Sequence, residues 1–255
     1  MADVANTRVL VTGAASGIGA AVAAELLAGG MRVARADVRP VADAAVREVD
    51  RAVAITLDVT DELAWNAALD TVQRAWGGLD VLVHCAGITG IDRPQSPSDV
   101  AIDDWRRVFA VNLDGVVIGC RVALPMLVRG QSPSIVIISS LAARMASPGA
   151  CAYAASKAAL CSYARSLALH GATLTPKVRV NCVLPGAIET PMWDVMLGSG
   201  PEREERMKQI AADVPLKRFG TADEMARLVA FLISDEAGYV TGTEFVIDGG
   251  QAVKA

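Results

Sequence analysis

A tyrosine and a lysine stand four residues apart in the segment YAASK, from Tyr153 to Lys157. Residues at this separation lie on one face of a helix, so the phenol and the ammonium group can approach each other. An ordinary tyrosine ionises at about pH 10, and a nearby cation favours the phenolate. The pair can therefore supply acid–base chemistry near neutral pH, although the same pattern also occurs by chance on solvated helix faces.

A second chemical signal is a glycine-rich turn between an apolar run and a helix-length segment. Gly13, Gly17 and Gly19 follow a G-x-x-x-G-x-G spacing, with Ser16 and Ile18 between them. Glycine lets the backbone approach a pyrophosphate, and the N–H groups at the start of the following helix attract the anion. The turn predicts a dinucleotide-binding site.

An aspartate refines this prediction. Asp37 closes the second apolar run, 18 residues after the last glycine of the turn. A carboxylate there accepts hydrogen bonds from ribose hydroxyls and repels a 2′-phosphate, which favours NAD over NADP. The nearby Arg35 and Arg39 can offset part of that repulsion.

Two further pairs of residues follow apolar runs. Asp58 and Val59 are expected to face the edge and the ring of the adenine, and Ala86 and Gly87 end the segment HCAG, 84–87. Ligands of open α/β sheets bind beyond the carboxyl ends of the strands. We therefore expect all of these contacts along one edge of a sheet.

The elements that must position these residues alternate along the chain. Strands are expected at 8–12, 31–36, 52–57, 79–84, 134–139, 177–183 and 244–247, and helices at 17–28, 41–50, 61–75, 102–129, 151–170 and 222–233. Nearly continuous apolar runs indicate strands covered on both faces. The alternation predicts an α/β fold with a doubly wound parallel sheet. Residues 184–220 interrupt the rhythm with four prolines and four glycines, which predicts a lid.

Composition excludes several classes of function. Charged residues make up 20% of the 255 residues and the net charge is −4, so no basic patch for nucleic acid is expected. The start of the chain does not resemble a secretory signal, and the apolar stretch VVIGCRVALPMLV is too short to cross a bilayer. The five cysteines form no CxxC pair and are expected to be buried thiols in a reducing cytoplasm. With only two histidines, His84 and His170, no histidine-rich metal site is expected.

Taken together, these motifs resemble the short-chain dehydrogenase/reductase family over essentially the whole chain. The matching segments are TGAASGIG (12–19), Asp37, LDVT (57–60), HCAG (84–87), VNLDG (111–115), IISS (137–140), YAASK (153–157), RVNCVLPG (179–186), ETPM (189–192) and EFVIDGG (244–250). The resemblance implies a single Rossmann-type domain, 1–255, with a seven-stranded sheet. A cofactor-binding half would span about 1–130, a catalytic and substrate half about 131–255, and the lid 188–215. It also implies a hydride carried by NAD(P) and a homotetramer.

The resemblance also implies a role for each matching residue. Tyr153 would exchange the hydroxyl proton, Lys157 would hold the nicotinamide ribose and lower the tyrosine pKa, and both would contact the cofactor. Ser140 would bind the substrate oxygen, and Asn112 would position a water in a proton relay. Further cofactor contacts would come from Pro185, Gly186, Ile188 and Thr190. One departure is His84–Cys85, where family members usually have two asparagines, the first of which ties neighbouring strands together.

The residues expected around the substrate are mostly apolar. They are Leu141, Ala143, Met145, Trp193, Met196 and Leu197. Apolar linings suit apolar ligands, so we expect an uncharged secondary alcohol or ketone: cyclic, aromatic, steroid-like or a cis-diol. Trp193 and Met196 can instead anchor the lid to the body of the protein.

Two other functions remain open at this point. One is an NADPH-dependent 3-oxoacyl thioester reductase, against which Asp37 argues. The other is a non-catalytic dinucleotide sensor, since a fold alone does not prove activity. The complete set of Asn112, Ser140, Tyr153 and Lys157 argues against the sensor.

Overall fold

Seven parallel strands form a single sheet at the centre of the molecule. The computed structural model describes residues 6–41, 51–93 and 95–253. The strands lie in the order β3-β2-β1-β4-β5-β6-β7, so the order along the chain reverses between β1 and β4. They are β1 Arg8–Thr12, β2 Arg32–Asp37, β3 Ala52–Thr56, β4 Val81–His84, β5 Ser134–Ile138, β6 Arg179–Pro185 and β7 Glu244–Ile247. All seven predicted strands are present, and the predicted fold class is confirmed.

Eight α-helices connect the strands within the described part of the chain. They are α1 Gly17–Ala28, α2 Glu62–Trp76, α3 Ile102–Phe109, α4 Gly115–Leu127, α5 Cys151–Gly171, α6 Met192–Leu197, α7 Pro201–Asp213 and α8 Ala222–Ile233. The prediction of one helix over 102–129 was wrong in one respect, because a π-helical turn, Ala110–Asp114, separates α3 from α4. The helix predicted at 41–50 lies outside the described residues, apart from Val41.

Apolar side chains fill both spaces between the sheet and the helices. On one face, Leu10 and Leu82 of the sheet belong to a core with Trp65 of α2, Val116 of α4 and Leu160 of α5. On the other face, strand valines pack with α1 and α8. Because consecutive strand residues point to opposite faces, both alternate sets must be apolar. This explains the continuous apolar runs in the sequence.

The helical run from α3 through α4 is the one candidate for a membrane span within the described residues. Ile102–Leu127 is long and apolar enough by length and composition alone, and it is longer than the apolar stretch considered above. Its residues Val116, Cys120, Ala123 and Leu127 belong to the core between the sheet and the helices. We therefore interpret this run as a core element of the fold.

The predicted lid consists of two helices. No residue of α6 or α7 is buried, and an ion pair joins them, with Arg203 Nη2 at 2.7 Å from Asp194 Oδ1. The chain returns to the body at Val214, which is 2% exposed.

Candidate active site

The glycine-rich turn packs closely against the residues that follow β4, at the point where the strand order reverses. Gly13 has a φ of +68°, and a Cβ added to it would lie 2.7 Å from the Ala86 nitrogen. Thr12 Oγ1 accepts hydrogen bonds from Cys85 N and Ala86 N, each at 3.2 Å. The sequence analysis missed Thr12, although a buried threonine at the end of an apolar strand was a usable signal.

The start of α1 suits an anionic group. Ser16 is the N-cap residue, but its side chain does not cap the helix; its hydroxyl accepts a hydrogen bond from Arg39 Nη2 at 2.8 Å. A Cβ on Gly19 would collide with the carbonyl oxygen of Gly13, so only glycine permits this close turn. The exposed N–H groups of a helix start bind phosphate, and the turn fits a dinucleotide pyrophosphate.

Asp37 lies beside this turn at the end of β2. It is 6% exposed; its Oδ2 accepts a hydrogen bond from Ala15 N at 3.0 Å, and its Oδ1 accepts one from Arg39 N at 2.9 Å. The Arg39 side chain, 61% exposed, also forms an ion pair with Asp37 at 3.4 Å. Arg39, which lies at the rim, is thus the arginine that partly offsets the carboxylate, whereas Arg35 is only 8% exposed within β2.

Asp58 and Val59 follow β3 on the same edge. Asp58 is exposed, and its Oδ1 accepts hydrogen bonds from Thr60 N at 2.9 Å and Thr60 Oγ1 at 2.7 Å. Val59 is 8% exposed, and its carbonyl oxygen accepts a hydrogen bond from Trp65 Nε1 at 3.0 Å. Their contacts with an adenine remain a prediction.

Asn112 lies in the π-helical turn and is fully buried. Its Oδ1 accepts a hydrogen bond from Ile88 N at 2.8 Å, and its Nδ2 donates to Ile88 O at 2.9 Å and to Ser156 Oγ at 3.0 Å. Ser156 in turn donates to Tyr153 O at 2.7 Å. Asn112 therefore links the chain after β4 to the helix that carries Tyr153. π-Helical turns inside α-helices often mark functional sites.

Ser140 and Tyr153 come together beyond the end of β5. Burial raises the pKa of Tyr153, and a side-chain hydrogen bond with Ser140 acts in the opposite direction without cancelling it. The expectation that Lys157 sets a lowered tyrosine pKa was therefore wrong for this structure. Lys157 Nζ lies 5.7 Å from the centre of the tyrosine ring, and the lysine is not among the groups that shift the tyrosine pKa.

Hydrogen bonds with two residues at the end of β5 hold Lys157 in place. It is 4% exposed, its Nζ donates to Ile138 O at 2.9 Å, and its carbonyl oxygen accepts a hydrogen bond from Ser139 Oγ at 2.8 Å. Burial lowers the lysine pKa to about 8, against the opposite effect of three neighbouring thiols, Cys182, Cys85 and Cys161. The sequence analysis missed Ser139, whose role depends on a backbone acceptor 18 residues away.

Lys157 and Asn112 both line Gly87. A Cβ added to Gly87 would lie 3.2 Å from Asn112 Oδ1 and 3.4 Å from Lys157 Nζ. A side chain at position 87 would therefore crowd these two polar groups at the carboxyl edge of the sheet. The close approach of the Gly87 backbone to a ligand remains a prediction.

The segment after β6 approaches the glycine-rich turn from the other side. A Cβ on Gly17 would lie 3.3 Å from the Cβ of Thr190, and one on Gly186 would lie 2.7 Å from the Cβ of Asp248. Pro185 ends β6, and Ile188, which is 5% exposed, forms an isolated bridge with Gly220. The structure thus brings all four predicted residues of this segment to the same edge as the turn.

The residues predicted to surround the substrate differ in how deeply they are buried. Leu141 is buried, Met145 is 42% exposed, and Ala143 packs against the core, while Met196 and Leu197 are half-buried. Trp193 Nε1 donates to Ile188 O at 2.7 Å, and its ring packs edge-on against Phe219 at 5.3 Å. For Trp193 the structure favours the second of the two roles considered, an anchor of the lid.

His84 is not part of the site. It is 2% exposed, burial lowers its pKa to about 3, and its ring lies 5.6 Å from that of Trp65 and 3.4 Å from Cys120 Sγ. The prediction that the cysteines are buried is confirmed for Cys120, Cys161 and Cys182 and was wrong for Cys85 and Cys151, which are only half-buried. Both stand where chain segments meet at the edge of the site, and burial there is incomplete.

Comparisons with known proteins show which family the chain resembles. Residues 13–252 match the family described as Enoyl-(Acyl carrier protein) reductase. The 2-(R)-hydroxypropyl-CoM dehydrogenase of Xanthobacter autotrophicus is 37% identical, covering 94% of this chain and 96% of the relative. The 2,5-dichloro-2,5-cyclohexadiene-1,4-diol dehydrogenase LinX of Sphingobium indicum is 34% identical, covering 96% and 95%. The NADP-dependent (R)-specific alcohol dehydrogenase of Lentilactobacillus kefiri is 35% identical, covering 94% of each chain.

A solved structure is also similar. The ligand-free aldohexose dehydrogenase of Thermoplasma acidophilum superposes with a TM-score of 0.89 at 33% identity, covering 99% of this chain and 96% of that one. The likeness therefore extends over nearly the whole of both chains. The chain belongs to the short-chain dehydrogenase/reductase family, oxidoreductases that act on CH–OH groups with a nicotinamide dinucleotide.

Proposed function

We propose that this protein is an NAD-dependent dehydrogenase that interconverts an uncharged secondary alcohol and its ketone. The observation that carries the proposal is the proximity of Ser140 to Tyr153, whose pKa it lowers against the larger effect of burial; both residues lie with Lys157 and Asn112 at the sheet edge that also holds the glycine-rich turn. This is an acid–base group beside an expected cofactor site.

The residues of the chain divide the chemistry among them. A bound nicotinamide dinucleotide supplies the acceptor or donor of a hydride. Ser140 and Tyr153 hold the substrate oxygen, and Tyr153 takes its proton during oxidation and returns it during reduction. The buried ammonium of Lys157, 5.7 Å from the tyrosine ring, stabilises the phenolate that forms. Asn112 fixes the chain at Ile88 and so keeps the groups around Gly87 in place.

The preference for NAD rests on Asp37. Its carboxylate is buried and holds Ala15 of the glycine-rich turn, so it cannot move away from a phosphate on the adjacent ribose. Arg39 offsets this charge only from an exposed position. Because one relative is named as NADP-dependent, sequence similarity alone does not decide between NAD and NADP.

The preference for an uncharged substrate rests on the charged residues near the lid. Arg144 and Asp194 are the charged residues of the two segments, 141–151 and 191–197, that contain the residues expected around the substrate. Arg144 Nη2 lies 2.7 Å from Glu244 Oε2, and Asp194 Oδ1 lies 2.7 Å from Arg203 Nη2. Both are already paired within the protein. Relatives named for a cyclic diol and for an alcohol suit the same class.

The proposal also covers the cellular location and the oligomeric state of the enzyme. We expect a cytoplasmic homotetramer without a nucleic-acid or membrane partner, from the composition and the family resemblance. Light scattering of the purified protein tests the assembly, and the mass of a monomer would contradict it.

The test of the function is the absorbance of reduced nicotinamide with NAD and, separately, NADP. The substrates are cyclic, aromatic and steroid alcohols, diols, polyols and a 3-hydroxyacyl thioester. Turnover with NAD on an uncharged alcohol is expected. Turnover confined to NADP and the thioester would favour the thioester reductase, and an absence of all turnover despite dinucleotide binding would favour a sensor.

A further inference from the structure

Gln95 is a buried polar residue that the reaction described above does not use. It is 3% exposed, and neither its Nε2 nor its Oε1 has a hydrogen-bond partner among the described residues. Buried polar side-chain atoms nearly always have a partner, and leaving a buried amide unsatisfied destabilises a fold. Because neither polar atom of the Gln95 carboxamide has a partner, we interpret this side chain as a group that binds a ligand.

The position of Gln95 connects it to the active site. Its carbonyl oxygen accepts a hydrogen bond from Cys151 N at 3.1 Å, and Cys151 is the first residue of α5, two positions before Tyr153. Its amide lies over Gly90, since a Cβ on Gly90 would be 3.3 Å from Gln95 Nε2. Gln95 thus stands between the chain that follows Gly87 and the helix that carries Tyr153.

Ion pairs and hydrogen bonds hold the described parts of the connection between β4 and α3 on both sides of this amide. Arg93 Nη1 lies 3.1 Å from Asp104 Oδ1, and Arg107 Nη2 lies 3.0 Å from Asp92 Oδ1. At its other end, Asn112 bonds both backbone polar groups of Ile88. A polar group held in place in this way binds a ligand without a large loss of conformational freedom.

We propose that the Gln95 carboxamide binds a second hydroxyl group of the substrate, so that the enzyme prefers diols or hydroxyketones to simple alcohols. This inference rests on the proposed function. A carboxamide offers N–H donors and an acceptor oxygen, and one hydroxyl can satisfy both. A ketone, ether or carboxylate oxygen can accept from Nε2 but leaves Oε1 without a donor. An uncharged hydroxyl also matches the pairing of Arg144 and Asp194 within the protein.

The experiment compares substrates that differ by one hydroxyl. The kcat/KM of the wild type is measured with NAD on cyclohexanol and on the cis and trans isomers of 1,2-, 1,3- and 1,4-cyclohexanediol. An analogue that leaves a buried amide unpaired is disfavoured, so at least one diol is expected to exceed cyclohexanol by about 10- to 100-fold. Gln95→Met, which keeps the length of the side chain, is expected to remove this preference and leave cyclohexanol within about twofold. The control is Gln73→Met, at an exposed glutamine of α2.

Each outcome decides the proposal. Equal losses on the diol and on cyclohexanol, or no loss at all, would assign Gln95 a structural role and overturn it. If Gln95→Met does not fold, Gln95→Leu is a more compact apolar replacement that also removes both the N–H donors and the acceptor oxygen, and the same loss of preference is expected.

Binding separates this inference from the proposed function. If the wild type oxidises no alcohol, the proposed function fails. Calorimetric titration of the same diols and cyclohexanol into the wild type with NADH then decides the role of Gln95. Tighter binding of one diol that Gln95→Met abolishes supports the inference, and equal affinities refute it.

Discussion

The ammonium group of Lys157 is expected to destabilise the folded protein. Lys157 is 4% exposed, and no carboxylate of the described residues is among the groups that offset its burial. An ordinary lysine has a pKa of 10.5, and burial lowers that of Lys157 to about 8. A tenfold change in an ionisation constant corresponds to about 1.4 kcal/mol, so the charged form costs the fold about 3 kcal/mol.

The sign of the pH dependence follows from this pKa. Below about pH 8 both the folded and the unfolded chain carry the proton, and the full cost is present. Between about pH 8 and 10.5 the folded chain has released the proton and the unfolded chain has not, so stability rises with pH. In Lys157→Met this rise is absent. At pH 7 the variant gains about 3 kcal/mol but leaves the Ile138 carbonyl unpaired, at a cost of about 1 kcal/mol.

Urea unfolding from pH 6 to 10, followed by far-ultraviolet circular dichroism, measures the effect. Lys157→Met is expected to be more stable than the wild type by about 2 kcal/mol at pH 7, and this advantage should fall by 2–3 kcal/mol, roughly, towards pH 10. The comparison cancels the titration of the thiols and tyrosines that both proteins share. Lys208→Met, at an exposed lysine of α7, is the control and should show no such trend. An advantage that stays constant with pH would refute the reasoning.

Three further predictions concern single residues. Tyr153→Phe should lower kcat by a factor of about 10² to 10⁴ with calorimetric binding of NAD unchanged, and full turnover would remove Tyr153 from the chemistry. Asp37→Ser should raise the ratio of kcat/KM for NADP to that for NAD by about tenfold or more, since a repulsion that is weakly screened in a buried site is lost; an unchanged ratio would contradict the role of Asp37. Burial raises the pKa of Asp80, but hydrogen bonds from Arg8 and Gln131 outweigh it and leave the pKa lowered. The wild type should therefore lose stability as pH falls below about 4, whereas Asp80→Asn should be less stable by about 3 kcal/mol at pH 7 and lack that acid dependence in urea unfolding.

The strands and most helices could be predicted because their causes are local in sequence. A strand covered on both faces needs an unbroken apolar run, and all seven runs form strands of the sheet, although the edge strands β3 and β7 are only partly buried. The π-helical turn could not be predicted in this way. It places Asn112 so that the amide reaches Ile88, 24 residues earlier in the chain, and a helical pattern in the sequence contains no information about that distant backbone.

The residues of the candidate site also divide into those whose roles have local causes in the sequence and those whose roles depend on distant parts of the chain. The glycine-rich turn, Asp37 and the YAASK segment have fixed spacings with local physical reasons, and the structure brings them to one edge of the sheet. The residues that were missed, Thr12, Ser139 and Ser156, bond to backbone atoms or side chains of other elements. Their types are common in strands and helices, so spacing alone does not distinguish them.

The direction of the tyrosine pKa shows why charge patterns alone are insufficient. From the sequence, a lysine four residues from Tyr153 predicts a lowered pKa, because the cation favours the phenolate. In the structure the same packing that brings the two groups together also removes them from water, and burial opposes both charged forms. The pKa of Tyr153 is raised while that of Lys157 is lowered. The two shifts therefore separate two pKa values that ordinarily lie close together. The charge pattern gives the sign of the attraction between the groups, but burial, which depends on the packing of the whole fold, sets the direction of both shifts.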